Sequence, residues 1–155
     1  MAKIFFSYSW SQENIVDQVG NDLGRDFVTQ DKFNFDAGNP LDDEMKDKIS
    51  NSDLFVFFLS KDSISSKNVQ LELDYVLPLI ASDMILFLPI LIDEDVKISG
   101  DWGRYAWIKK YLLTYTTNTP RIVRTVRQKI RSLICKKYGV EPAHLQNPVF
   151  ASSLI

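Results

Sequence analysis

The sequence has few of the residues that form metal sites and disulfides. It contains one cysteine, Cys135, and one histidine, His144, in 155 residues. A single cysteine cannot form a disulfide within the chain, and the two residues do not make a cluster with the spacing of zinc ligands. We therefore predict no metal site, and a reducing compartment suits the chain best.

Long apolar segments and a strong charge of one sign are also missing. The N-terminal sequence MAKIFFSYSW lacks the long apolar core of a signal peptide, and no uninterrupted apolar stretch reaches membrane-spanning length. The formal net charge of -2 argues against general affinity for nucleic acid or anionic lipid. We predict a cytoplasmic protein that binds no membrane and makes no direct contact with nucleic acid.

The composition that remains is sufficient for one folded domain. Hydrophobic residues make up 45% and charged residues 25% of the chain, the balance of a globular protein that buries a sizeable core. A chain of this length leaves little room for a second core. We predict one domain over residues 1–138, followed at 139–155 by an extension or a linker to a missing domain.

Apolar segments alternate with amphipathic ones along the chain. Five short apolar runs predict strands, and they begin near Lys3, Phe27, Asp53, Met84 and Tyr111. Capping residues precede four segments with helical spacing, namely Ser9 or Ser11, Asn39 with Pro40, Ser65 or Ser66, and Thr119 with Pro120. Pro89 suits an edge, an end or a bulge of the fourth strand. The alternation predicts an α/β protein with a flavodoxin-like, doubly wound, five-stranded parallel sheet flanked by helices.

In such a sheet ligands bind where the loops after the first and third strands meet, here after Ser7 and after Ser60. A response regulator needs an aspartate at the end of the third strand, which this chain lacks. The segment from Ser7 to Ser11 has the hydroxyls of a flavodoxin phosphate loop without its glycine, so that alternative stays open. Neither a Walker lysine loop nor a GxGxxG motif occurs.

Geometry separates the two acids of the helix that follows the third strand. At about 100° per residue, Glu72 lies about 40° from Val76 of the apolar stripe, whereas Asp74 points toward solvent. Glu72 is therefore the acid expected to be partly buried. A boundary glutamate is more often structural than catalytic, so spacing alone gives Glu72 no role.

Four motifs occur in the order and spacing of a known family. They are Ile4–Ser9, Asp31 seven residues before Gly38, Ser52-Asp53 leading into Leu54–Ser60, and Ser66 to Leu73 with Glu72 inside it. Over residues 3 to 115 the chain resembles TIR (Toll/interleukin-1 receptor) domains, and the glutamate resembles that of the prokaryotic NAD⁺-cleaving type. It departs from the family at Asn68, where the last motif usually has an aromatic residue.

The resemblance implies an NAD⁺ glycohydrolase that cleaves the nicotinamide–ribose bond and releases ADP-ribose or a cyclic ADP-ribose product. NAD⁺ would be the substrate, no cofactor would be needed, and Glu72 would be the catalytic carboxylate. Substrate contacts would come from Ser7, Tyr8, Ser9, Trp10, Asp31 and Ser66. For two of these, a simpler role is an equal alternative: Trp10 as a hydrophobic staple and Ser66 as a helix cap.

The resemblance also implies an assembly surface. The residues that match the BB loop, through which TIR domains associate, are Asp36, Ala37, Gly38, Asn39, Pro40 and Leu41. We expect self-association to activate the protein in a defence or cell-death pathway, with a sensor domain in the same longer chain. The alternative is a non-catalytic adaptor that signals through TIR–TIR contacts.

The last predicted helix carries many basic side chains. They are Arg121, Arg124, Arg127, Lys129 and Arg131. A solvated face is the commoner meaning of such a pattern, and a surface for a partner or for nucleic acid is the alternative.

Overall fold

Strands and helices alternate along the chain, whose computed structural model describes residues 2–30, 41–96, 100, 102–111 and 113–138. The strands are β1 (Ile4–Ser7), β2 (Val28–Gln30), β3 (Leu54–Leu59) and β4 (Leu86–Leu91). The helices are α1 (Glu13–Leu23), α2 (Asp43–Ser50), α3 (Lys61–Ser65), α4 (Lys67–Ala81) and α5 (Thr119–Tyr138). Three 3-10 segments cover Trp10–Gln12, Arg25–Phe27 and Gly103–Lys110.

The described strands form one parallel sheet in the order β2-β1-β3-β4. Every residue of the two central strands, β1 and β3, is buried. A strand covered on both faces has no solvent side, which explains why both segments are apolar without alternation. The predicted fold class, a doubly wound parallel α/β sheet, is confirmed.

The sheet separates two apolar layers. On one face, α1 and α5 pack against Ile4 and Phe6 of β1 through Val16, Val19, Ile122 and Val126. On the other face, α2 and α4 pack against Phe5 of β1 through Met45, Ile49, Leu73 and Val76. Because alternate residues of a strand point to opposite faces, a single residue step along β1 changes the layer that a side chain enters.

The fifth predicted strand, Tyr111 to Tyr115, is not formed in the described part of the chain. Tyr115 alone makes a parallel bridge with Leu91, and the Thr116 amide donates to the Leu91 carbonyl at 2.9 Å. Tyr111 instead follows the 3-10 helix, and its ring packs edge-on against Phe87 with the ring centroids 5.0 Å apart. That aromatic contact packs Tyr111 in the apolar layer on one face of the sheet. The described sheet has four strands.

The position of Pro89 agrees with its predicted place on an edge. The amides of Leu86 and Ile92 donate to Asp53 and Leu59 on the β3 side, whereas the Leu91 carbonyl faces away from β3 toward Thr116. Pro89 is two residues before Leu91, so its backbone groups point to the same side as those of Leu91, away from β3. The N–H that proline lacks would have pointed to that side. No ladder bond with β3 is lost.

Three predicted helix starts are wrong. The predicted cap of α5 was Thr119, but the helix begins at Thr119, and Asn118 Oδ1 accepts from the Arg121 amide at 3.0 Å. The predicted cap of α1 was Ser9 or Ser11, but Gln12, the last residue of the 3-10 segment, occupies the cap position. The Ser11 hydroxyl donates to Asp62 at 2.7 Å instead. The predicted cap of α2 was Asn39, but Asp42 caps it and accepts from the Met45 amide at 2.7 Å. A carboxylate at the cap also complements the helix dipole.

The apolar stripe of α4 is narrower than predicted. Val69, Leu73 and Val76 are buried, but Leu77 is 37% exposed. Leu77 lies about 80° around the helix from Val69, at the margin of the covered face. The short helix α3 was not predicted, and the predicted cap Ser66 is confirmed for α4.

Asp93 connects the end of β4 to the start of α3. Its carboxylate accepts the Lys61 amide at Oδ2 and the Asp95 amide at Oδ1, each at 2.9 Å. These two backbone hydrogen bonds lower the pKa of the Asp93 carboxyl below its usual value. The ionised carboxylate thus stabilises the loop edge on which the site is built.

We predict that Asp93→Ala lowers the free energy of unfolding at pH 7 by about 1 kcal/mol, at the low end for charged hydrogen bonds because water screens the group. The native pKa is depressed, so this stabilisation is present above the unfolded-state pKa of about 4 and is lost as pH falls through the native pKa. Urea unfolding at pH 7 and pH 3 measures it, with exposed Glu94→Ala as the control. A difference between wild type and Asp93→Ala that does not shrink at pH 3 would contradict the assignment.

Candidate functional site

A buried serine and a buried glutamate meet at the edge of the sheet where the parallel strands end. The Ser7 hydroxyl donates to Glu72 Oε1 at 2.9 Å, although the two residues are 65 positions apart. Ser7 is fully buried, and Glu72 is 5% exposed. Glutamate is almost never this buried without a partner, and the hydroxyl supplies one.

The secondary structure explains why these two side chains meet. Ser7 is the last residue of β1 and has the parity of Phe5, so its side chain points to the face that carries α4. Glu72 lies on the inner side of α4, next to Leu73 and within one turn of Val76. The predicted partial burial of Glu72 is confirmed. Asp74 is exposed, as predicted, and pairs with Arg104 at 3.0 Å.

Two serine caps fix the helices that follow β3. Ser60 and Ser63 form a reciprocal capping box, in which each side chain accepts from the other residue's backbone amide, at 3.0 and 2.7 Å. The Ser66 hydroxyl accepts from the Val69 amide at 3.4 Å and caps α4. Ser66 was predicted either to contact the substrate or to cap the helix, and this hydrogen bond is a helix cap.

Tyr8 lies on the opposite side of the sheet from Glu72. Its ring packs against the layer formed by α1 and α5, and its hydroxyl accepts from Gln30 Nε2 at 3.2 Å. Successive side chains of extended backbone point to opposite faces of a sheet, so Tyr8 and Ser7 lie on different faces. Ser7 is the residue of this pair that donates to the Glu72 carboxylate.

The loop after β1 is connected across the sheet edge to α3. Ser9 Oγ and Ser11 Oγ lie 3.2 Å apart, and Ser11 in turn donates to Asp62. Trp10 is 67% exposed, so it does not have the packed position that a hydrophobic staple requires. Sequence reasoning missed Asp62, whose only local signal is an acid in the first turn of a helix.

The predicted BB-loop residues divide into two groups. Asp31 and the segment 36–40 lie outside the described residues, and their predicted roles stay predictions. Leu41 is buried and packs in the same apolar layer as Met45 and Ile49. The Leu41 side chain thus anchors the start of the α2 region in the core.

A polar network at the end of β2 was not predicted either. Gln30 donates to Asp17 Oδ1 at 2.5 Å and accepts from Arg25 Nη1 at 2.6 Å. Arg25 also donates to Asn21 Oδ1 at 2.7 Å. The network connects the edge strand β2 to α1.

The described residues offer neither a metal site nor a membrane-spanning helix. Within this part of the chain, no group of three or more histidine, cysteine, aspartate or glutamate side chains is placed to hold a metal ion. None of its helices combines the length and apolar character needed to cross a membrane.

Comparison with known proteins gives one family and one fold. The model of the family described as "TIR domain" matches residues 4–118, which include Ser7 and Glu72. Among solved structures, the chain is similar to the TIR domains of the activated Roq1 resistosome directly recognizing the pathogen effector XopQ. The TM-score is 0.55 at 15% identity, over 98% of this chain and 99% of that one, so the likeness concerns the fold. No curated protein sequence matches.

We predict that Ser7→Ala lowers the free energy of unfolding by about 2 kcal/mol, because the buried Glu72 carboxylate loses the hydrogen bond from the Ser7 hydroxyl. In a double-mutant cycle with Glu72→Ala, the two effects should be non-additive by at least about 0.5 kcal/mol. Urea unfolding of the four proteins measures the coupling energy. Ser65→Ala, in an exposed helix turn, is the matched control, and strictly additive effects of Ser7→Ala and Glu72→Ala would show that the hydrogen bond contributes nothing.

Proposed function

Because this chain belongs to the TIR domain family, we propose that it is an NAD⁺ glycohydrolase that releases nicotinamide and ADP-ribose or a cyclic ADP-ribose product. The observation that carries the proposal is Glu72, a buried carboxylate whose Oε1 lies 2.9 Å from Ser7 Oγ. It lies at the edge of a doubly wound sheet where ligands bind. A buried acid at such a place is a candidate functional group on physical grounds.

The reaction makes modest demands on the protein. The bond between ribose C1′ and the pyridinium nitrogen breaks, its electron pair goes to the nitrogen, and nicotinamide leaves as a neutral molecule. No general acid is therefore needed for the leaving group. The ribose passes through an oxocarbenium-like transition state with positive charge on C1′ and the ring oxygen. Water then forms the new bond to C1′ and releases one proton to the solvent, which gives ADP-ribose. In the cyclic reaction an adenine nitrogen of the same molecule forms the bond to C1′ instead.

We assign Glu72 the stabilisation of that positive charge, together with binding of the ribose hydroxyls. A negative charge fixed in advance in a poorly hydrated site is usually the largest catalytic term. Ser7 is the positioning residue, because its donation to Oε1 fixes the orientation of the carboxylate. In this arrangement Ser7 acts on the substrate through Glu72.

The remaining predicted contacts have unequal support. The exposed indole of Trp10 offers a flat apolar surface for a nucleotide ring, and Ser9 lies beside it in the loop after β1. Tyr8 and Ser66 contribute through the hydrogen bonds they already make, which hold β2 and α4 at the site. Asp31 is proposed as a substrate contact on resemblance alone.

We propose that the protein works as an assembly in a defence or cell-death pathway. The Roq1 TIR domains of similar fold come from an activated resistosome that recognizes a pathogen effector. The segment from Asp36 to Pro40 would contact a second copy and complete its active site, whereas the buried Leu41 side chain is not available for that contact. A sensor domain in a longer chain would bring the copies together.

A non-catalytic adaptor is the second candidate. The observation in its favour is Asn68, which stands where the family motif usually has an aromatic residue. An amide cannot provide the same stacking surface for a nucleotide ring. In this alternative the TIR–TIR contacts are the whole function.

We predict that Glu72→Gln lowers nicotinamide release from NAD⁺ at least about 100-fold, the usual scale for losing a stabilising charge. Glutamine keeps the size of the side chain and an oxygen that accepts from Ser7, so the substitution removes mainly the charge. Chromatographic quantification of nicotinamide with concentrated protein measures the rate, and exposed Asp74→Asn is the control. Equal release by wild type and Glu72→Gln, with both folded by circular dichroism, would exclude the catalytic role.

We predict that Pro40→Ala weakens self-association and lowers the rate of NAD⁺ cleavage at the same protein concentration, because assembly completes the site. Light scattering measures the association, and the nicotinamide assay measures the rate. An adaptor instead requires that Pro40→Ala abolish association while NAD⁺ stays intact with every protein. Cleavage that depends on Glu72 would eliminate the adaptor as a full account.

A further inference from the structure

A second concave site lies between the end of α1 and the outer face of α5. This cleft has a volume of about 670 Å³, within the range of roughly 300 to 1,000 Å³ typical of small-molecule sites. Its charged and amide side chains are Asp22, Arg124, Arg127, Gln128 and Arg131. The cleft is on the face of the sheet that carries α1 and α5, so the sheet separates it from Glu72.

The three arginines face the same cleft from one side of α5. Their spacings of three and four residues place them in one row, where like charges destabilise a helix unless an anion lies between them. Arg127 Nη2 donates to the Asp22 carbonyl at 3.1 Å, which attaches one guanidinium to the end of α1. The arginine row therefore takes part in the contact between α1 and α5 through Arg127.

Two of these guanidinium groups have an unused donor. Within the described part of the chain, Arg127 Nε and Arg131 Nε are buried and have no hydrogen-bond partner. A buried N–H without an acceptor destabilises the folded state. Both guanidinium groups lie at the ends of rotatable side chains. A small reorientation toward an anion in the cleft would therefore give both N–H groups an acceptor.

We propose that this cleft binds a small phosphorylated molecule through Arg124, Arg127 and Arg131. The planar guanidinium donates two parallel hydrogen bonds to phosphate oxygens, a fit that lysine lacks. Three positive side chains face one carboxylate, that of Asp22, so the side chains of the cleft carry two net positive charges toward a ligand. A concave site suits a compact phosphate ester or diphosphate, whereas nucleic acid backbone tracks an extended basic surface.

Calorimetric titration of the full chain with inorganic pyrophosphate at constant ionic strength tests the proposal. We expect saturable one-to-one binding that Arg127→Gln with Arg131→Gln weakens at least about tenfold, as expected for losing charge-assisted bonds. Arg124→Gln, at an exposed position, should weaken binding without disturbing packing. Asp22→Asn should tighten it, because a repelling carboxylate is removed.

Two controls separate this site from its alternatives. Arg121→Gln removes the same charge from α5 outside the cleft and should leave pyrophosphate affinity unchanged. Glu72→Gln should also leave it unchanged, which distinguishes the cleft from the proposed NAD⁺ site. The absence of saturable binding at millimolar pyrophosphate would overturn the proposal, and so would equal weakening by Arg121→Gln and Arg124→Gln. Tighter binding of a DNA duplex, weakened alike by every arginine variant, would assign the surface to nucleic acid instead.

Discussion

The complete burial of β1 and β3 is the constraint on which the rest of this structure depends. Their backbone groups pair with each other in register, with Ser7 opposite Phe57, and their side chains fill two apolar layers. Polar side chains can enter such a pair only where the strands end. Ser7 and Ser60 occupy those two positions, and both are fully buried. The hydroxyl of Ser7 must then find a partner inside the protein, and Glu72 provides it.

The same constraint explains which features could be predicted from sequence. Continuous apolar runs identify β1 and β3 because burial on both faces removes alternation, and helical spacing identifies α1, α4 and α5. The burial of Glu72 follows from one angle on a helix. Its partner, Ser7, could not be predicted in the same way. The contact joins residues 65 positions apart, and it depends on which face of the sheet each β1 side chain points to and on how α4 crosses the sheet. The family resemblance predicted that Ser7 belongs to the site, but it did not predict the hydrogen bond between Ser7 and Glu72.

Other errors concern single residues and short segments. Asn39 and Asp42 are both good capping residues three positions apart, and sequence offers no measure of which one the chain uses. The segment from Tyr111 to Tyr115 has the composition of a strand. The position of Tyr111 is instead determined by the packing of its ring against Phe87. The contact from Ser11 to Asp62 is invisible in sequence, because both residues already have an ordinary explanation at helix starts. Tertiary contacts decided the cases of Tyr111 and Ser11.

The energetics of Glu72 bear on the choice between an enzyme and an adaptor. A carboxylate that is 5% exposed is costly to desolvate, and an apolar side chain of similar size would fill the same space without that cost. A protein that acted only through its surface would gain nothing from a charge at this depth. A reaction that develops positive charge on a ribose gains most from a carboxylate held in a poorly hydrated place. In the proposed site, the hydrogen bond from the Ser7 hydroxyl would fix the orientation of that carboxylate.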